Sequence, residues 1–363
     1  MKLFKSLLVA PATLGLLAPL SVTANELNLN DVSGYSSSEE IQNINEFNAA
    51  EELAVTNSRV DGLEARFNNF EAGSFSETTT ASFGVDMVVG AEDGATSEAV
   101  AFGYQMGIGL ETSFTGEDSL SATIDIGDGT SGALAFDDTS DKLTLDGLTY
   151  TFPVGGATVM VGDSTDISAV YTGACAYSSF TDYMGNCGTG STVGLGGATD
   201  GVTAAMSYAF DSGFSLAGGI SSPTSSILTE EGSDVFGIEA AYTADSYGIS
   251  VAYSDSEGTT GWGVNGMYAF DFATLSAGIE SVDSGTTAEG FFVGLSFPEV
   301  GAGSLDIGMG TTGNFADGDT EYYTYEASYA YPLNDGVTIT PGVYIVEGET
   351  DVTGVALKTS FSF

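Results

Sequence analysis

The stretch VAFGYQMGIGLETSF (residues 100–114) puts the tightest limit on what this chain can fold into. Val100, Phe102, Tyr104, Met106, Ile108, Leu110, Thr112 and Phe114 share one parity. Ala101, Gly103, Gln105, Gly107, Gly109, Glu111 and Ser113 share the other. A period of two is the signature of a β-strand with two different faces. The stretch is far longer than the roughly 5–6 residues of an average strand in a soluble protein. One face suits an apolar medium over a length that crosses a tilted bilayer, and the other is small and polar.

The pattern recurs to the end of the chain. Strands are expected at 75–89, 100–114, 119–127, 142–152, 157–162, 201–210, 213–221, 234–244, 246–254, 261–270, 273–282, 288–297, 303–311, 321–331, 336–346 and 352–363. The expected fold is all-β, a 16-stranded antiparallel transmembrane β-barrel, since only closure satisfies every strand's backbone groups in lipid. The strand-like STVGLGG (191–197) breaks parity and is placed inside the long third loop, and seventeen or eighteen strands are the alternative. Short and long connections alternate, as in outer-membrane barrels with short periplasmic turns and longer external loops. Aromatics gather near strand ends, where membrane-interface girdles form.

Three segments precede the barrel domain, which is assigned to 73–363. Residues 1–24 read as a signal peptide: Lys2 and Lys5 form a basic start, LLVAPATLGLLAPL an apolar core, and Val22-Thr23-Ala24 a small-residue cleavage site. An uncleaved anchor is the rival reading. Residues 25–49 are a polar lead. Residues 50–72 hold Leu53, Thr56, Val60, Leu63, Phe67 and Phe70 at steps of three and four, a short periplasmic coiled-coil helix. A single helix packed on the barrel is the alternative.

Charge narrows the function. The 363 residues include 50 acids, 6 bases and no histidine, for a formal net charge of −44. Nucleic acid is a poor partner for such a surface. Without histidine, Ser-His-Asp and Cys-His catalysis are excluded, and no enzyme is expected. No cofactor is expected, although the acidic stretches FADGDTE (315–321) and IGDGTSGALAFDD (126–138) offer oxygen ligands of the kind Ca²⁺ takes.

With the apolar parity facing lipid, Asp86, Glu111, Asp125, Asp146, Glu239, Glu280, Asp306 and Glu326 are expected to line a lumen, with Lys358 as its main cation. Carboxylates in a pore concentrate cations, so the expected function is passive diffusion of ions and small hydrophilic solutes with cation preference. The longest loop, 163–200, is expected to fold into the lumen and to bring Asp163, Asp166 and Asp182 to a constriction. An external cap is the alternative. Cys175 and Cys187 lie in this loop, and an exported chain makes a disulfide between them plausible.

The segments MKLFKSLLVAPATLGLLAPL (1–20), LAVTNSRVDGLEARF (53–67) and FSETTTASFGVD (75–86) resemble the porins of cyanobacterial outer membranes, particularly those of marine picocyanobacteria. Those porins are grouped with the carbohydrate-selective porin family. The resemblance implies a homotrimer in outer-membrane lipid and passage of sugars. It also implies that Phe363 is a terminal assembly signal read by the barrel-assembly machinery. That family carries an S-layer homology domain before its coiled coil. Here NDVSGYSSSEEI (30–41) resembles only the beginning of one, so the cell-wall tether does not carry over. Sugar-specific channels commonly combine an aromatic track with arginine and lysine, and 73–363 contains no arginine. Plain diffusion is therefore the leading expectation, with a carbohydrate-selective porin and a plugged, mainly structural barrel as alternatives.

Overall fold

A computed structural model describes residues 79–94, 99–129, 139–181, 201–224, 226–229 and 233–363. The expected signal, polar lead and coiled coil lie outside the described residues, as do Asp182, Cys187 and STVGLGG. The chain divides into two compact units, 1–71 and 72–363, and the fold described below is that of the second.

The strands are β1 (Thr79–Asp93), β2 (Val100–Thr112), β3 (Ser119–Asp128), β4 (Thr144–Val154), β5 (Ala157–Thr165), β6 (Gly201–Ala209), β7 (Phe214–Ser222), β8 (Val235–Thr243) and β9 (Tyr247–Ser256). They continue as β10 (Thr259–Ala269), β11 (Thr274–Asp283), β12 (Thr287–Val300), β13 (Gly303–Thr311), β14 (Phe315–Ala316), β15 (Tyr323–Asn334), β16 (Val337–Val346) and β17 (Val352–Ser362). Apart from the two-residue β14, which leans on β12, each coincides with an expected strand. Neighbours in sequence pair antiparallel around the ring, and β1 pairs with both β2 and β17, so the sheet has no edge. The fold is a closed 16-stranded antiparallel barrel with one short extra strand.

The two parities meet different surroundings. Phe236, Ile238, Ile249, Val251, Ile279, Val293 and Val343 are exposed, which in water would be an aggregation hazard and in lipid is the required outer face. The opposite parity carries Gly, Ala, Ser and Thr, much of it buried. Two of the strand prolines fall where the ladder slips. Pro298 lies within the irregularity between Phe297 and Val300, and Pro332 borders the one before Asn334. A residue without an N–H is tolerated at such breaks.

One rim carries short turns. Asp118 organises the turn between β2 and β3. Its Oδ1 accepts from the backbone N–H of Phe114 at 2.9 Å and of Thr115 at 2.7 Å, and from the hydroxyls of Ser113 and Thr115. Its Oδ2 accepts from Tyr150 on β4 at 2.7 Å. Aromatic contacts run along this rim: Phe114–Tyr150–Phe152, Tyr208–Phe210, Phe214–Tyr242–Tyr247 and Tyr268–Phe270–Phe272–Phe297.

A strap of loop across the inner wall

The chain leaving β5 does not stand away from the barrel. Asp166 caps a 3-10 turn, Ile167–Val170, accepting from the Ser168 N–H at 2.6 Å. Ile167 is fully buried with Met160 of β5, Ala205 of β6 and Val235 of β8. Beyond the turn, residues 171–181 form a strap laid over the small-residue face of one strand after another. The N–H of Thr172 donates to Glu239 Oε2 on β8 at 2.7 Å. Ala174 sits against Gly248 of β9. The N–H of Ala176 donates to Ser276 Oγ on β11 at 3.0 Å. Tyr177 packs on Phe292 of β12, and Phe180 joins Val88, Tyr344, Val346 and Ala356 from β1, β16 and β17.

Glycine decides where the strap can lie. At Gly294 a methyl group would occupy the position of the Tyr177 ring, and at Gly342 that of the Phe180 ring. The inner wall is therefore hollowed to the shape of the strap's two aromatic side chains.

Glu326 of β15 receives the end of the strap. Oε1 accepts from the Tyr177 hydroxyl at 2.6 Å and the Phe180 N–H at 2.7 Å. Oε2 accepts from the Thr181 N–H at 2.8 Å and from the Thr181 hydroxyl. Glu326 is only 4% exposed and Glu239 fully buried. Burial, with Glu326 next in weight, drives the Tyr177 phenol far above its usual range, which keeps it a donor. Burial does the same to Tyr171.

The other expected lumen residues are placed as follows. Asp86 faces inward and accepts from Gln105 Nε2 at 3.1 Å. Glu111 accepts from Ser119 Oγ at 2.8 Å near the short-turn rim. Asp125 stands opposite Gly107, and Glu280 is in register with Gly263 and Gly290, both on the inner face. Asp306 is in register with Ser296 and Ser328 of that face. Lys358 lies inward between Thr340 and Val88.

Two residues depart from expectation. Asp146 has no cross-strand partner on β3, because the register slips between Thr123 and Ile124. It is the extra residue of a bulge, where simple alternation does not fix direction. Asp163 belongs to the wall, not to the constriction loop. β5 continues to Thr165, and Asp163 pairs with Leu148 on the face that carries Val161, which is the outer one. Cys175 is disulfide-bonded and packs beside Tyr177 and Phe292, while Cys187, the chain's other cysteine, is outside the described residues. Among the described residues no three Asp, Glu or Cys side chains gather to hold a metal ion. Tyr177 and Phe180 were missed by sequence reasoning. Their only signal was bulky aromatics within the long loop.

Comparison with known proteins agrees with this geometry. Over 89 residues, 23% of this chain, the sequence is 42% identical to alr4550, an uncharacterised protein of Nostoc sp.. The match spans 15% of that relative's length. Among solved structures, the OprB of Pseudomonas putida superposes with a TM-score of 0.64 at 13% identity, covering 84% of this chain and 97% of that one. A mutant of the Rh. blastica porin gives 0.54 at 16% identity over 78% of this chain and all of its own. A loop-deleted OmpT of Vibrio cholerae gives 0.57 at 10% identity, over 79% and all of its own. At such identities these structures speak for the fold alone. The model of the family described as Gram-negative porin matches residues 46–351. The chain belongs to that family, and it is an outer-membrane β-barrel porin.

Proposed function

We propose that this porin gives passive passage to inorganic ions and small hydrophilic solutes, with a preference for cations. The observation that carries this reading is the charge of the inner wall. Asp86, Glu111, Asp125, Glu280 and Asp306 face inward against Lys358 alone among the described basic residues. A water-filled passage bounded by carboxylates raises the local concentration of cations and lowers that of phosphate and other anions. Assembly as a homotrimer belongs to the same proposal. It rests on the resemblance to cyanobacterial porins.

The similarity to OprB raises a carbohydrate-selective channel as the second reading. Against it stands the distribution of aromatic side chains. On the described strands only Phe292 and Tyr344 project inward, and both are buried, against Tyr177 and Phe180 of the strap. No stacking track for a sugar ring is left on the strands. Reversal potentials across a salt gradient test the main reading, and anion selectivity would overturn it. Swelling of proteoliposomes in mono- and disaccharides tests the second, and rapid sugar entry would favour it. A folded barrel without single-channel conductance would point to the plugged, structural alternative.

A further inference from the structure

We propose that Glu239 and Glu326 are positioning residues that latch the strap to the wall, rather than charges presented to solute. The inference rests on the porin reading above for its meaning, but its geometry stands alone. Inward parity had placed both side chains in the lumen as selectivity groups. Neither is open to it.

Both latches combine apolar packing with charge. At the β5 side Ile167 is enclosed by Met160, Ala205 and Val235, and Thr172 donates to Glu239 only five residues further on. At the far end Tyr177 packs on Phe292, and Phe180 on Val88, Tyr344, Val346 and Ala356. There Glu326 collects four donors, and all of them belong to the strap: Tyr177 hydroxyl, Phe180 N–H, Thr181 N–H and Thr181 hydroxyl. A carboxylate offers about four lone-pair sites and no donor, so its capacity is filled by one segment. Hydrogen bonds to an ionised acceptor are roughly twice as strong as neutral ones. Among the described residues the backbone amides of Phe180 and Thr181 donate to Glu326, and a buried N–H left unmade is costly.

Chemistry then sets what breaks the latch. Replacing Glu326 by glutamine retains the shape, removes the charge and turns one acceptor into an NH₂ that faces donors. The four-donor cradle cannot accommodate it. Replacing Thr181 by valine leaves the carboxylate in place and removes one donor of similar size. If the carboxylate acts through the strap, both variants loosen the same element.

The test uses the full chain reconstituted in planar bilayers, with Glu326→Gln, Thr181→Val, their combination, and Asp86→Asn as a solute-facing control. Glu326→Gln and Thr181→Val should both raise open-channel current noise and frequent partial closures several-fold. The double variant should be no worse than Glu326→Gln, as expected for two groups in one contact. Asp86→Asn should shift the reversal potential and leave the noise unchanged. If Glu326→Gln shifts only the reversal potential while Thr181→Val behaves as wild type, Glu326 is a pore charge and the latch is overturned. Hydrogen exchange gives a readout independent of conduction. The Phe180 and Thr181 amides should lose protection in Glu326→Gln while strand amides of β15 and β16 keep theirs, and equal protection in variant and wild type would sink the proposal. A wild-type barrel that does not conduct would refute the porin function without touching the exchange result. Should Glu326→Gln fail to fold, Thr181→Val carries the same comparison.

Discussion

Phe83 and Phe363 are joined twice. The Phe83 N–H donates to the Phe363 carbonyl at 2.9 Å and the Phe363 N–H to the Phe83 carbonyl at 3.1 Å, while their rings stack 5.6 Å apart at 12°. The final residue therefore completes the ring of strands, pairing with the first one. Phe363→Ala keeps the backbone bonds and loses the stacked pair, which is worth roughly 1 kcal/mol. The expected outcome is a fall of about that size in unfolding free energy in lipid vesicles, with Phe363→Tyr close to wild type. A separate measurement addresses the assembly role implied by resemblance. If Phe363 is an address, the outer-membrane yield of Phe363→Ala should drop far more than so small a loss of stability would cause. Unchanged yield would remove that role and leave only the closure.

Asp118 makes a prediction about pH. The Thr115 backbone N–H, helped by the Tyr150, Thr115 and Ser113 hydroxyls, holds its carboxyl far below the usual carboxylate range, against the opposing effect of desolvation. A depressed folded value contributes stability that is present above the ordinary carboxylate pKa of about 3.9 and is lost as pH falls through the folded value. Asp118→Asn should therefore lower the thermal midpoint by the same amount at pH 7 and pH 5. The gap between wild type and variant should close only in strong acid. A gap that already narrows between pH 7 and pH 5 would contradict the assignment.

The barrel was legible because its two faces have different solvents. Lipid and water leave a period-two record in every strand, and β8 or β16 can be read from Phe236, Ile238, Val343 and Ile345 without knowing a single contact. What parity cannot report is what covers a side chain once it points inward. Glu239 and Glu280 lie on one row of the inner wall by register, yet Glu239 is fully buried beneath the strap and Glu280 is not. Parity also fails where the ladder slips, which is why the lumen position that alternation assigned to Asp146 does not follow. At Asp163 the error was in the strand end and not in parity, since β5 outran its expected end by three residues. The fit of Tyr177 to Gly294 joins residues more than a hundred positions apart, and no local pattern encodes it.

That fit can be tested by filling the hollows. Gly342→Ala places a methyl group where the Phe180 ring lies, and Gly294→Ala does the same to Tyr177. Overpacking of this kind costs about 1–3 kcal/mol when the neighbour cannot yield. Here the neighbour is a strap, so the cheaper response is to lift it from the wall. Both variants should fold with the wild-type urea midpoint of the barrel while the Phe180 and Thr181 amides exchange faster. A large drop in barrel stability with unchanged exchange at those amides would show that strap and wall unfold as one unit.

The inner wall of β1–β3 carries a cluster of the charges left to face solute, and the dependence on salt should identify them. Asp86, Asp125 and Glu111 stand on three adjacent strands, with Lys358 on the neighbouring β17. Charges in contact with electrolyte are screened over about 10 Å at 0.1 M and about 3 Å at 1 M. If these carboxylates set the selectivity, cation preference should be clear in dilute potassium chloride and weaken strongly toward 1 M. Asp86→Asn and Asp125→Asn should each reduce the dilute-salt preference, and Lys358→Met should increase it. Glu326→Gln belongs to a different class. Its carboxylate is enclosed by strap donors, so its effect on reversal potential should be smaller than that of Asp86→Asn at the same salt. A preference that persists unchanged at high salt, or that follows Glu326 instead of Asp86, would relocate the selective charges to the strap side of the lumen.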